Sequence, residues 1–177
     1  MIETVNGFEI RGATVADVEA LTVFGARTFF ESFAADNTPE DMEKHLAAAW
    51  RPELQRAEIL DPAIDTILAL SKGELAGFAM LRDQEAPPEG VTAARPVELW
   101  RFYVDKSWQG RGLARALMTA AEDRARARGG RELWLGVWER NARAQAFYRK
   151  CGFEAVGKKV FVVGSDPQRD DVMLRLL

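Results

Sequence analysis

The chain has one cysteine and one histidine, Cys151 and His45, in 177 residues. A lone cysteine excludes an internal disulfide, and with a single histidine there is no thiolate and imidazole cluster at metal spacing. No metal is expected, and a Cys-His nucleophile is set aside. An excess of one charge is missing too: 24 basic residues face 27 acidic ones, interleaved, for a net charge of −3. Without a polybasic stripe to neutralise a phosphate backbone, nucleic acid is not an expected partner. No apolar run approaches the roughly 20 residues needed to span a bilayer, and the opening MIETVNGFEI lacks a basic segment followed by an apolar one. The expectation is a cytoplasmic protein with no membrane contact. Low-complexity tracts, internal repeats and interdomain linkers are also lacking, so residues 1–177 are read as one domain.

What is present suits a globular core: 47% of residues are hydrophobic and 29% charged. FEIRGAT, at 8–14, reads as a strand. Thr14 and Asp17 form a capping-box-like start to a helix whose apolar face carries Leu21, Phe24, Phe29 and Phe33. Thr38 caps a second helix, with Pro39 at its first position and Glu40 and Asp41 at its positive end. This helix is expected to break or end near Pro52. Residues 66–82 read as a hairpin about Lys72-Gly73-Glu74. A proline-rich loop follows at 83–96, then the strand VELWRFYV at 97–104. Gly112 to Arg128 is helical and stops at Gly129-Gly130, ELWLGVW is the next strand, and Asn141 caps a short helix ended by Gly152. FEAVGKKVFVV and DVMLRLL close the chain as an antiparallel pair. The fold class is α/β (α+β), a mixed and mostly antiparallel sheet flanked by helices, with a strand, helix, strand unit in the middle.

WQGRGLARALM, at 108–118, places Gly110 and Gly112 at a strand-to-helix turn. Unpaired amides and the positive helix end gather there, and glycine lets an anion approach without a Cβ in the way. A tight turn and nothing more is the plainer reading. The stretch lacks the Gly-Lys-Ser/Thr ending of a P-loop and the third glycine of a dinucleotide fingerprint.

QGRGLA matches the Q/R-x-x-G-x-G/A signature of the GNAT superfamily of N-acetyltransferases. ELWRFYVDKSW upstream and ERNARAQAFYRKCGFEAVG downstream resemble that family's neighbouring strand and its Asn, A-x-x-F-Y-x-x-x-G-F segment. The resemblance spans roughly residues 97–157 and implies the GNAT fold and an acetyl-CoA co-substrate. It implies a pyrophosphate cradle from Gln109, Gly110, Arg111, Gly112, Leu113 and Ala114, with Arg115 as a nearby phosphate partner. The backbone of Phe102, Tyr103 and Val104 would pair with the pantetheine arm as a strand would, and Asn141 would touch the same arm while capping its helix.

Acetyl transfer needs a neutral amine, a stabilised carbonyl oxygen and a proton for the departing thiolate. Tyr148 matches the family tyrosine that protonates the coenzyme A sulfur; a tyrosine packed in the core is the alternative. Glu98 resembles the general base of the family's histone-acetylating branch. It also reads as an exposed strand-end carboxylate, or one that grips a cationic substrate. Glu31 and Asp36 belong to the region that walls the acceptor site in the family. Cys151 invites an acetyl-cysteine route, but a residue at a helix end beside a glycine stop suits packing, and direct attack in a ternary complex is favoured. His45 is read as structural or superficial. Trp100, Trp134 and Trp138 are read as sheet packing, and Trp108 as leaning on the glycine loop.

Residues 26–46, ARTFFESFAADNTPEDMEKHL, resemble the bacterial polyamine N-acetyltransferase branch, and their acidic residues would attract a polycation. A polyamine such as spermidine or spermine is therefore the expected small-molecule acceptor. A peptide or protein amine is the alternative, and a non-catalytic acyl-CoA sensor is the alternative of another class. Dimers are common in the family, which leaves a homodimer open; no stretch of the sequence specifies an interface.

Overall fold

In the computed structural model, residues 3–5, 7–83, 87–92 and 95–177 are described. Parts of the proline-rich loop, 84–86 and 93–94, lie outside them. The strands are β1 (Glu3–Val5), β2 (Phe8–Gly12), β3 (Ile64–Ser71), β4 (Glu74–Asp83), β5 (Pro96–Val104), β6 (Glu132–Trp138), β7 (Glu154–Val163) and β8 (Asp166–Leu176). The α-helices are α1 (Val18–Phe33), α2 (Pro39–Ala49), α3 (Pro52–Leu60), α4 (Leu113–Ala127) and α5 (Ala142–Lys150).

The eight strands lie in the order β1-β2-β3-β4-β5-β6-β8-β7. Strands β5 and β6 are parallel and the other neighbours antiparallel. Alternation along β3 sends Ile67 and Ala69 to one face and Leu68 and Leu70 to the other, so both faces are covered. Leu113, Leu117, Ala121 and Ala125 of α4 seal the first face with Tyr148 of α5; Leu21, Phe24 and Phe29 of α1 and Met42 of α2 seal the second. Among the described residues no helix is long and apolar enough to cross a membrane.

The expected break at Pro52 proves to be a start. Pro52 opens α3 just as Pro39 opens α2, because a proline ring fits the first turn, where no amide partner is needed. Trp50, between the two, lies over Gly25 of α1. A Cβ at Gly25 would sit 1.9 Å from the indole ring, so the helix can pass only as glycine. Asp41 is tied to Ser165 in the β7–β8 turn, accepting from its amide and its hydroxyl at 2.7 Å each. These bonds hold its carboxyl down at about 2. The acidic start of α2 thus clasps the closing hairpin, and Asp41 is not part of an acceptor field.

One seam of the sheet is short. β5 and β6 pair only through Pro96, Val97 and Glu98 against Glu132, Leu133 and Trp134, and then diverge. The cause lies on the other edge of β5. There Leu81 pairs with Leu99 and Met80 with Arg101, which leaves Trp100 as an extra residue. Such a bulge bends the strand and increases its twist.

Candidate active site

The divergence opens a cleft of about 750 Å³ between the C-terminal halves of β5 and β6. Its mouth meets the loop before α4. Gly110 and Gly112 adopt φ of +75° and +85°, and the space a Cβ would occupy at Gly110 is open to 4 Å. Gly112 is the N-cap of α4 and offers no side-chain acceptor, so the first amides of that helix point outward unpaired. Left-handed backbone, open space and a positive helix end together form a seat for an anion. Gln109 is held by Arg143 at 2.5 Å, bringing α5 to the same rim, and Asn141 caps α5 by accepting from the Ala144 amide at 3.1 Å.

Gln109, Gly110, Ala114, Asn141, Phe102, Tyr103, Val104 and Tyr148 line this cleft, as do Glu31 and Asp36. The side chains of other expected residues point elsewhere, which leaves the backbone amides of the loop as their contribution to the cradle. Leu113 is fully buried in the core, and Arg111 lies over Trp108 at 5.4 Å. Trp108 itself packs edge-on against Phe8. Arg115 faces Cys151: burial pushes that thiol up, and the Arg115 charge pulls it part of the way back. Cys151 is 3% exposed and outside the cleft lining, a poor position for an acetyl acceptor. Trp100 and Trp138, read as sheet packing, line the cleft.

Tyr148 lies where α5 crosses the open seam, packed by Phe102, Phe147 and Phe153. Burial raises its pKa well above the ordinary phenol value, so it keeps its proton.

Glu98 is not the exposed strand end it resembles. β5 runs through the middle of the sheet, and Glu98 is 1% exposed, gripped by Arg82 at 2.5 Å and Lys159 at 3.4 Å. It does not line the cleft. Glu31 shares its charge with Arg27 and Lys106. His45 stacks on Phe29 at 4.2 Å, and burial lowers its pKa, with the Arg101 charge acting in the same direction.

The acceptor half of the cleft is walled by Phe29 and Phe33 of α1, Trp138 of β6, and Phe161 and Val163 of β7. Arg101 forms part of its floor and is pinned by Glu58 of α3 at 2.7 Å, with Trp50 and Trp100 rings against its guanidinium. Asp170 of β8 also lines the cleft, 7% exposed, and burial pushes its carboxyl up to about 6. Sequence reasoning missed it. The available signal was period two: Asp170 shares a sheet face with Val172, an apolar partner that marks an inward position.

The acetyltransferase (GNAT) family model matches residues 27–153. An uncharacterized N-acetyltransferase of Lactobacillus delbrueckii subsp. lactis is 34% identical over 172 residues, 97% of this chain and 99% of that one. The aminoglycoside N(6')-acetyltransferase type 1 of Stenotrophomonas maltophilia is 32% identical over 152 residues, covering 86% of this chain and 90% of that one. Among solved structures, the PaiA N-acetyltransferase of Thermoplasma acidophilum in complex with coenzyme A superposes with a TM-score of 0.77. That match covers 96% of this chain and 99% of the other at 22% identity, a likeness of fold.

Proposed function

Because the chain belongs to the acetyltransferase (GNAT) family, with acetyl-CoA as its acetyl donor, we propose that its splayed cleft carries acetyl transfer to a primary amine by direct attack. The observation that carries this reading is the single cleft joining three features: the glycine loop, the open edge of β5 and the Tyr148 phenol. The amides at the start of α4 would hold the pyrophosphate, and Phe102, Tyr103 and Val104, paired with β4 on one edge and open toward β6 on the other, would receive the pantetheine arm as a partial strand.

The amine nitrogen bonds to the thioester carbonyl carbon as the carbon–sulfur bond breaks. Tyr148 gives its phenolic proton to the sulfur, and the proton still on the new amide nitrogen returns to the phenolate. That nitrogen proton is strongly acidic while the C–N bond forms, which offsets the reluctance of a buried phenol to ionise.

We infer a cationic small molecule, a polyamine such as spermidine or spermine, as the acceptor. With Glu31 shared between two cations, Asp36 at the rim and Asp170 deeper in remain as negative points for successive ammonium groups. A peptide amine is the second reading, favoured by the Phe29, Phe33 and Phe161 wall, which suits an apolar side chain beside the amine. Thiol release from acetyl-CoA against polyamines, aminoglycosides, peptides and amino acids tests both. Polyamines are expected to give the highest kcat/KM; turnover confined to peptides would reject the polyamine and leave the chemistry standing.

Gly112→Ala tests the cradle. An L-residue in left-handed backbone costs about 1–2 kcal/mol. If the variant holds the loop in its binding form that much less readily, coenzyme A affinity falls by roughly tenfold. Calorimetric titration with coenzyme A is the check, and an unchanged Kd would remove the loop from the donor site.

A further inference from the structure

The Glu98 carboxylate does not reach the cleft, yet it is not isolated from it. Arg82 and Glu98 are cross-strand partners on β4 and β5. Lys159 of β7 reaches over the Trp134 ring, at 5.2 Å, to touch Glu98. Lys159 and Asp170 are themselves direct partners across β7 and β8, and Trp138 is the partner of Asp170 on β6. At the centre of this row stands Gly136. A Cβ there would lie 2.7 Å from Lys159 Cε, and 3.1 Å from both Lys159 Nζ and Asp170 Oδ2. The missing side chain is the clearing in which the amine and the carboxylate approach each other.

Resting on the acetyltransferase reading above, we propose that Asp170 is the general base that deprotonates the acceptor amine, and that Glu98 acts behind it by holding Lys159. Asp170 lines the cleft from β8, as the partner of Trp138 on β6; of the other acidic lining residues, Glu31 is paired with Arg27 and Lys106, and Asp36 lies in the turn after α1. Its carboxylate makes no hydrogen bond to another described residue, which leaves both oxygens to the substrate or to water. Lys159 stabilises the ionised form from β7, while its neighbour Asp171, Glu139 beyond the end of β6 and the Tyr103 phenol of β5 oppose it or stand neutral beside it. Asp171 and Glu139 are engaged by Lys158 at 2.6 and 3.4 Å. Arg101 on β5 is committed to Glu58.

In the step, the ammonium form of the acceptor gives one proton to Asp170, leaving a neutral amine and a carboxylic acid. The nitrogen lone pair then forms the bond to the thioester carbon. Asp170 returns its proton to solvent after the product leaves. The Glu98 to Lys159 contact keeps the lysine from closing on Asp170 as an ion pair, which would lower its basicity. Lys159 and Glu98 are positioning residues, since neither meets the substrate.

The experiment is the pH profile of kcat/KM for the best amine of the panel, with wild type, Asp170→Asn and Lys159→Met. The wild type is expected to show an acid limb near pH 6. Asp170→Asn is expected to lose kcat by about 100- to 10,000-fold and to lose that limb, with coenzyme A affinity kept. Lys159→Met is expected to move the limb to higher pH, because removing the positive charge raises the pKa of the carboxyl. Asp170→Glu should recover part of the activity. An Asp170→Asn enzyme with kcat within a few-fold of wild type and only a raised amine KM would make Asp170 an anchor and overturn the proposal, as would an acid limb that survives the substitution. A wild-type protein inert with every amine overturns the acetyltransferase reading and the base together, so the two failures are distinguishable.

Discussion

Tyr148→Phe is expected to lower kcat by about 100- to 10,000-fold while leaving coenzyme A affinity unchanged, the loss typical of removing a positioned proton donor. The substitution keeps the ring and its contacts with Phe102, Phe147 and Phe153, so packing is preserved and only the hydroxyl is lost. In the proposed step the phenol meets the sulfur as the bond breaks, so kcat and kcat/KM should fall together. Donor thioesters whose thiol leaves more easily should be less affected. A donor with a thiol of lower pKa needs its proton less, and the gap between wild type and variant should narrow with it. Steady-state kinetics with acetyl-CoA and a more activated acetyl thioester make the comparison. An equal deficit on both donors would mean that the hydroxyl acts on something other than the departing sulfur.

The second large effect is on stability. Arg101→Met is expected to cost about 3–5 kcal/mol, the range for leaving one partner of a buried ion pair uncompensated. Both side chains are well covered, 11% exposed for Arg101 and 6% for Glu58. For a chain of this size the loss corresponds to a fall in Tm of roughly 6–20 °C. Burial already raises the Glu58 carboxyl above its ordinary value, and the Arg101 charge is the largest influence holding it down. Without that charge the pKa rises further. A carboxyl whose folded pKa lies above its unfolded value favours the folded state at low pH, and the advantage is lost as pH rises from the unfolded value through the folded one. The deficit of Arg101→Met should therefore be larger at pH 8 than at pH 5. Adding Glu58→Gln removes the stranded charge and should recover part of the Tm at pH 8; a double variant no better than the single would place the loss in the Trp50 and Trp100 packing.

The glycine turn before α4 and the Asn141 cap of α5 were legible because their determinants are local. Gly110, Gly112 and Asn141 act through their own backbone or the next turn, so a motif in one stretch carries the geometry. The same holds for the sheet's middle, where strand, helix and strand follow one another. The acceptor half is assembled from distant parts of the chain. Glu98 looked like a strand end open to solvent because no single stretch reveals that β4 and β6 flank it. Asp170 carries no motif of its own, and its place beside Trp138 and Lys159 is set by pairing with two strands distant in sequence or register. The acidic run from Glu31 to Glu43 suggested a field by composition, yet Asp41 is spent on Ser165 and Glu40 on Lys44. Trp50 gave no hint that it would lie on Gly25, since the close approach of an interhelical residue to a distant helix is written in neither stretch alone.

The strand order has a consequence for the making of the protein. β8 follows β7 in the chain but lies inside the sheet, between β6 and β7. A nascent chain that has released β7 still lacks the strand on which β7 must pair, and β6 has one open edge. β7 pairs only with β8, so it joins the sheet only once β8 is available to stand between it and β6. A fragment ending before Asp166 could present the anion seat while lacking the wall that carries Asp170. The wall that carries Asp170 thus depends on β8, whereas the anion seat lies wholly in earlier-made chain.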